Sequence, residues 1–478
     1  MDSASIQFLL FGFVAALVSN LSRSPLWRSI VLFIASLTFL VFLSRDPLTF
    51  APLALFLLMG HLCLVLLERR WLKTSTWCVL AIIFAYAWLK KYTFLPEGIL
   101  LHAYYITLGL SYIFFRVLHL LIETGDSDNK PRISLGSYLL YTINFTTFVS
   151  GPIQHYDDFA RDQFAPEPIA LGARVIGVQL ERIVRGFFKV NVMAMLLHSV
   201  QNEALAQLAQ PLPLSMKLFA AFKLAVAYPF FLYANFSGYI DIVIALARLM
   251  RVRLPENFDR PFSASSFIDF WNRWHITLST WLKTYVYNPL LMASMRRVSS
   301  VTWHPLLGVL SFFVTFFLVG LWHGRTSEFL FFGVLQGGGV AINKLWQLGL
   351  TQGLGRKGYK AVAANAIYIA FGRGLTFSWF AFTLFWFWGT WKQLGLIFHA
   401  LGVLQAIFVA LATWLCATVL LALWESTREG LLSLKVAGKA LLTHRYVRVA
   451  YASALGLIAI AVTMLLNRPA PDLVYKSF

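Results

Sequence analysis

The chain has 478 residues, 59% of them hydrophobic and 13% charged, where soluble domains run at roughly 45–50% apolar and about 25% charged. A mean hydropathy of +0.69 over the whole length excludes a water-soluble enzyme with one anchor and requires that most of the chain sit in lipid. The net charge of +19, from 40 Lys and Arg against 21 Asp and Glu, falls in short connectors such as Arg23 and Arg28, Arg69-Arg70 with Lys73, and Arg428 to Arg448; this is the pattern of cytoplasmic loops, not of a nucleic-acid surface.

At roughly 20 residues per spanning helix, about ten to twelve passes fit this length. The fold class expected is therefore an all-α polytopic membrane protein. A closed barrel is excluded because the apolar runs are long and lack strand-type alternation. Apolar segments near 5–20, 30–43, 48–67, 76–89 and 98–122 come first. Basic loops after the first, third and fifth put the N-terminus outside. Residues 5–20 read as a retained helix, since no basic region precedes them and no small-residue cleavage site follows. From about 134 to 340 the pattern changes, with runs broken as in Phe148-Val149-Ser150-Gly151-Pro152 and Asn235-Phe236-Ser237-Gly238. Backbone broken at membrane depth must line a cavity or lie inside protein. One polytopic domain is expected, with N-terminal frame helices at 1–133, a working core at 134–345 and C-terminal frame helices at 346–466. The basic 425–447 loop sends the last helix outward, so the 467–478 tail is expected to be extracytoplasmic. Cys63, Cys78 and Cys416 lie in or beside apolar runs and read as packing residues.

Within the core, His155, Asp157 and Asp158 follow the Gly151-Pro152 turn closely enough to resemble a metal cluster, but a solvated turn is the plainer account. Arg116 and Asp241, each inside an apolar run, are either pathway residues or partners in buried ion pairs, the structural reading being the plainer one. Phe267 to Tyr287 is expected to form one amphipathic helix in the interface plane. At helical spacing Trp271, Trp274, His275, Leu278, Trp281, Leu282 and Tyr285 share one face, with Asn272, Arg273, Thr277, Thr280 and Thr284 mostly on the other. Ser266 and Asp269 supply its capping-box start. His275 on the apolar side reads on periodicity alone as a packing residue. The run 306–322 ends in Gly320-Leu321-Trp322-His323-Gly324-Arg325. His323 is a functional candidate because ionisable groups near membrane depth are costly, and its flanking glycines are expected to leave room for a substrate; the alternative is an interfacial histidine reaching water. Gly333 and Gly337 are expected to let two helices approach closely. Gly353 to Gly358 fit G-x-G-x-x-G but follow no strand, which argues against a dinucleotide site.

These pieces resemble the membrane-bound O-acyltransferases, in particular the bacterial polymer-modifying branch. The matching words are TFVSGPIQHYDDF at 147–159, NFSGYIDIVIALARLM at 235–250, LPENFDRPF at 254–262, DFWNRWHITLSTWLKTYVYNPL at 269–290 and GLWHG at 320–324. The resemblance implies a multi-helix bacterial inner-membrane fold with a transmembrane tunnel, and places the family's invariant histidine at His323 and its motif-borne histidine at His275. It implies acyl transfer, most simply of acetyl, from a cytoplasmic thioester to a hydroxyl of an extracytoplasmic polysaccharide such as alginate or cellulose. The donor would be acetyl-CoA or an acyl-carrier thioester, with no bound cofactor or metal. Lipid and extracytoplasmic transferases or polysaccharide machinery would be the partners, and nucleic acid would not.

D-alanyl transfer to teichoic acid is the competing branch. The tail Leu473-Val474-Tyr475-Lys476-Ser477-Phe478 is similar to the aromatic tail of polysaccharide O-acetylation members, whereas NRWH is a D-alanylation-like spelling. Lys283-Thr284 stands where the acetylation branch usually continues with Arg-Asp, and Gln336 where its members often carry another histidine. In this reading His323 is the general base, His275 with Asn272 stabilises the oxyanion or positions the donor, and Trp274, Trp281 and Trp322 line the substrate site. Tyr475 is a candidate acyl acceptor or relay, or else part of a docking tail. A transporter or flippase would share the composition and broken helices, but predicts an inverted repeat that the sequence lacks. A scaffold that recruits secreted transferases is the third reading.

Overall fold

The computed structural model describes residues 5–71, 74–126, 132–298, 300–436, 439–441, 444–466 and 471–474. Among the described residues, eight helices are long and apolar enough to cross a membrane: Pro25–Leu43, Pro47–Glu68, Ala173–Leu208, Leu214–Leu249, Val301–His323, Ala366–Trp388, Val403–Ser433 and Arg445–Leu466. Two shorter apolar helices, Ile6–Ser19 and Thr76–Leu89, bring the total to the lower end of the expected range. Among the described residues the only strands are the two-residue pair Lys435–Val436 and Lys439–Ala440. The protein is an all-α, multi-pass membrane protein.

The chain packs as two compact units, one of Met1–Phe187, Phe236–Glu256 and Asp472–Phe478, the other of Phe188–Asn235 and Asn257–Pro471. The first holds α1 (Ile6–Ser19), α2 (Pro25–Leu43), α3 (Ala51–Glu68), α4 (Thr76–Leu89), α5 (Leu110–Asp126), α6 (Leu135–Thr142), α7 (Tyr156–Gln163) and nearly all of α8 (Ala173–Phe188). The Ser5 hydroxyl accepts from the Phe8 N–H and starts α1, satisfying a donor that the first helical turn leaves open. Phe8, Phe39 and Phe145 meet with ring centroids 5.9–6.4 Å apart.

The buried charges of this unit serve its irregular backbone. Arg116 donates to the carbonyls of Tyr141 at 3.2 Å and Thr142 at 2.8 Å, and to that of Thr147. Arg28 donates to the carbonyls of Asp162 at 3.0 Å and Ala165 at 2.5 Å. Carbonyls that no helix satisfies would otherwise cost heavily away from water. Asp241 pairs with Arg182 at 2.9 Å and Arg185 at 3.4 Å, and Arg182 also grips Glu256 at 2.6 Å. The buried ion pair expected of Asp241 is present, whereas Arg116 is held by backbone carbonyls rather than by a carboxylate.

The second unit holds α9 (Met195–Leu208), the first part of α10 (Leu214–Leu249), α11 (Phe267–Trp271), α12 (Ile276–Leu282), α13 (Asn288–Arg297), α14 (His304–His323), α15 (Ser327–Ala364), α16 (Ala366–Thr383), α17 (Phe385–Trp388), α18 (Trp391–Leu401), α19 (Val403–Ser433) and α20 (Arg445–Leu466). Helices α14 and α15 form an antiparallel hairpin in near backbone contact. A Cβ at Gly333 would lie 2.5 Å from the Phe317 carbonyl oxygen, and one at Gly337 2.5 Å from that of Phe313. Close approach is the use expected for these two glycines.

One expected element is different. Residues 267–287 do not form a single amphipathic helix: α11 stops at Trp271, His275 turns left-handed at φ 46°, and α12 resumes at Ile276 before a wide π turn at Lys283–Tyr287. The LPENFDRPF segment causes the break. The Asn257 carbonyl takes the Ile276 N–H at 3.0 Å, and the Asp259 N–H donates to the Arg273 carbonyl at 2.9 Å. These backbone groups are thereby withdrawn from helix bonds. The facial pattern nonetheless holds, with Trp271, Trp274, His275, Leu278, Trp281 and Leu282 buried and Asn272, Thr280 and Thr284 exposed. Thr277 is the exception, a buried residue on the polar side.

Candidate functional site

The site is built from two places in the second unit, the break at His275 and the end of α14. His275 is fully buried, and its Nδ1 lies 3.3 Å from Asn257 Oδ1. That oxygen also accepts from the Thr277 N–H at 3.1 Å and the Thr277 hydroxyl at 2.9 Å. Because a backbone N–H can only donate, the Asn257 atom facing His275 is the oxygen. The Nδ1 of His275 then carries the proton and Nε2 the lone pair. Burial pushes the His275 imidazole down from its ordinary 6.5 to about 3, so the ring is neutral at physiological pH.

His323 is the last residue of α14 and is 4% exposed, so it is not an interfacial histidine reaching water. Its ring packs against Trp322 at 4.6 Å, Phe387 at 5.1 Å and Phe332 at 6.0 Å. Trp322 in turn meets the ring of His275, with centroids 6.2 Å apart. One indole thus touches both histidines, 48 positions apart in sequence (323 − 275).

The glycines beside His323 do not open a path for substrate, contrary to expectation. A Cβ at Gly320 would overlap the Cα of Gly333, and one at Gly324 would overlap the Phe329 ring. The space is already taken by helix α15 and a phenyl group. Trp274 is likewise committed to packing, its ring 5.0 Å from Phe380, 5.1 Å from Phe258 and 5.6 Å from Phe270. Trp281 packs against Tyr285, with tilted rings 4.9 Å apart. Asn272 is exposed at the end of α11. Of the expected substrate-binding residues, Trp322 meets both histidines. Tyr475 lies outside the described residues.

Sequence reading passed over Asn257, whose signal was its place in the LPENFDRPF word just ahead of the break. Gln336 was noted only as a departure. It is fully buried, lies one helical turn beyond Phe332, and donates to the Thr383 hydroxyl at 2.8 Å. Its Oε1 meets no donor among the described residues, which leaves a buried acceptor on the helix that packs against His323. A cavity of about 300 Å³ elsewhere in this unit, lined by Leu224, Ala381, Phe385, Ile397, Leu401 and Val409 among others, is apolar and includes neither histidine.

Comparison with known proteins places these features in a family. The chain is 32% identical over 247 residues to a teichoic acid D-alanyltransferase of Streptococcus thermophilus, covering 50% of this chain and 57% of that protein. It is 31% identical over 239 residues to a probable alginate O-acetylase AlgI of Pseudomonas fluorescens, covering 50% and 45%. A peptidoglycan O-acetyltransferase of Helicobacter pylori matches at 30% over 210 residues, covering 44% and 37%. The matched region thus spans about half the length of these relatives or less. Residues 71–385 match the membrane-bound O-acyltransferase family, a span that includes His275, Asn257, Trp322 and His323. The chain belongs to the membrane-bound O-acyltransferases.

Proposed function

We propose that this protein moves an acyl group, acetyl in the first instance, from a cytoplasmic thioester to a hydroxyl of an extracytoplasmic polysaccharide. The observation that carries this reading is the pair of buried histidines, His275 and His323, assembled on Trp322 in the family-matched region. In the reaction the acceptor hydroxyl oxygen attacks the thioester carbonyl, His323 takes its proton, and the carbon–sulfur bond breaks to release the thiolate, which recovers a proton as thiol. Histidine is the side chain best matched to taking up a proton near neutral pH.

Of the two parts expected of His275, oxyanion donor or positioning group, its tautomer favours the second. With its proton on Nδ1 toward Asn257, its Nε2 can accept but not donate, and burial opposes the doubly protonated form. It positions a donor N–H or the acceptor hydroxyl. Acetyl-CoA and an acyl-carrier thioester are both suitable donors, and extracytoplasmic transferases are fitting partners. The identity to a D-alanyltransferase favours D-alanyl transfer as the second reading. Tyr475 is retained as a proposed relay hydroxyl. Mass spectrometry that finds no acyl adduct on it, with a fully active Tyr475→Phe protein, removes that element alone.

The test of the main reading is His323→Gln in cells. Polymer acylation is expected to fall by about 10²–10⁴-fold, the usual worth of a general base, with membrane insertion unchanged. A normally inserted His323→Gln protein with full acylation overturns it. Supplying membranes with labelled acetyl-CoA or with a D-alanyl carrier thioester then separates the two acyl groups.

A further inference from the structure

The first unit contains a second cluster of histidines, unrelated to the acyl-transfer residues. His119 and Glu123 lie four residues apart on α5, hence on one helix face. His155 caps the start of α7. One ligand atom from each of the three lies within 4.8 Å of the other two.

The arrangement has the properties of a metal site. His155 Nδ1 and Glu123 Oε1 are 3.4 Å apart, and a tetrahedral centre with bonds of 2.0–2.1 Å holds neighbouring donors roughly 3.4 Å apart. His119 is buried and held from behind. The Tyr141 hydroxyl donates to the Gln154 carbonyl at 2.5 Å, so its oxygen faces His119 Nδ1, 3.4 Å away, as an acceptor. That fixes the tautomer with the lone pair on Nε2, where the Tyr156 N–H now donates at 3.2 Å and a metal would take its place. An outer hydrogen bond that orients a histidine in this way is the usual support of a metal ligand. His155 is 43% exposed on its side chain, which provides an entry path and an open fourth position. Two neutral imidazoles and one carboxylate leave a net negative charge, with Asp157 also near His155.

We propose that His119, Glu123 and His155 bind a divalent transition metal, zinc being the best fit, which ties α5 to the start of α7. The turn after Gly151-Pro152 is thus a metal turn, but with partners from α5 rather than with Asp157 and Asp158.

The experiment uses the full chain purified in detergent, stripped with chelator and titrated with zinc chloride. One zinc per chain and a rise in Tm are expected. Glu123→Gln and the surface change His155→Ala should each weaken binding at least about tenfold while leaving the metal-free Tm close to wild type. Tyr141→Phe should weaken it about 10–100-fold, as loss of an outer-shell partner does. X-ray absorption of the zinc-loaded protein should show nitrogen and oxygen ligands with imidazole scattering. Absence of zinc uptake overturns the proposal. So does full uptake by the Glu123→Gln, His155→Ala double variant, or a sulfur ligand, which would move the metal to Cys63 and Cys78.

Discussion

Asn257 shows how a single side chain can hold a broken helix in place around His275. Its carboxamide oxygen meets His275 and both donors of Thr277, and its fully buried position leaves no water to replace it. Asn257→Ala should lower stability by about 1–3 kcal/mol, the cost of stranding a buried hydrogen-bonding group, and should abolish acylation. Asn257→Asp keeps the acceptor and should recover part of the stability, a comparison that thermal melting in detergent decides. The depressed pKa of His275 also has a sign. The folded protein holds the ring neutral down to about 3 while the unfolded chain takes up its proton near the ordinary 6.5. The stability this group contributes is therefore complete above about pH 6.5 and is lost as pH falls from there toward 3. The Tm of wild type should drop across that window more steeply than that of His275→Gln; parallel curves would refute the assignment. Because His275 is left-handed, it already carries the roughly 1–2 kcal/mol that a Cβ costs there; His275→Ala keeps that strain and removes only the imidazole, whereas His275→Gly also relieves it. The two histidines were legible in the sequence because they sit inside recognisable words. Asn257 was not, because its role depends on the neighbouring backbone pairing of Phe258 with Trp274, 16 positions on (274 − 258), that periodicity does not report.

At the scale of elements, the α14–α15 hairpin positions His323. Gly320 and Gly333 allow near contact of the two backbones, and the turn between the helices is only three residues, 324–326. Gly320→Ala should force the helices apart, costing about 1–3 kcal/mol or more as overpacking does, and should reduce acylation by displacing His323. Gly338→Ala meets nothing within 4 Å and should be neutral or stabilising by up to about 1 kcal/mol, since alanine is the better helix former. Equal effects in Tm and activity for the two variants would show that the hairpin contact is unimportant. Spanning helices were readable from runs of apolar residues, and the close-packing glycines from their spacing. The break in 267–287 was hidden because every residue from Ile268 to Leu282 suits a helix locally. The segment that breaks it arrives from outside the window.

For the whole molecule, composition alone gave the class, since no other fold accommodates this hydropathy. Orientation was read from the basic loops, and it is testable. In a Cys416→Ser background, a cysteine placed at Ser433 in the basic loop should react with a membrane-impermeant maleimide only after the cytoplasmic face is opened. Labelling of intact cells would invert the assigned topology. The division into two units was not legible, because it interleaves segments distant in sequence. That interleaving has a consequence for synthesis. The first unit draws on Phe236–Glu256, which supplies Asp241 and Glu256 to Arg182 and Arg253 to Asp162. A ribosome that has finished residue 187 must add 69 more (256 − 187) before this segment is complete, a wait of roughly 3–14 s at about 5–20 residues per second. During that interval Arg182 and Asp162 lack their partners, so truncation or a pause within this stretch should send the nascent chain to membrane quality control.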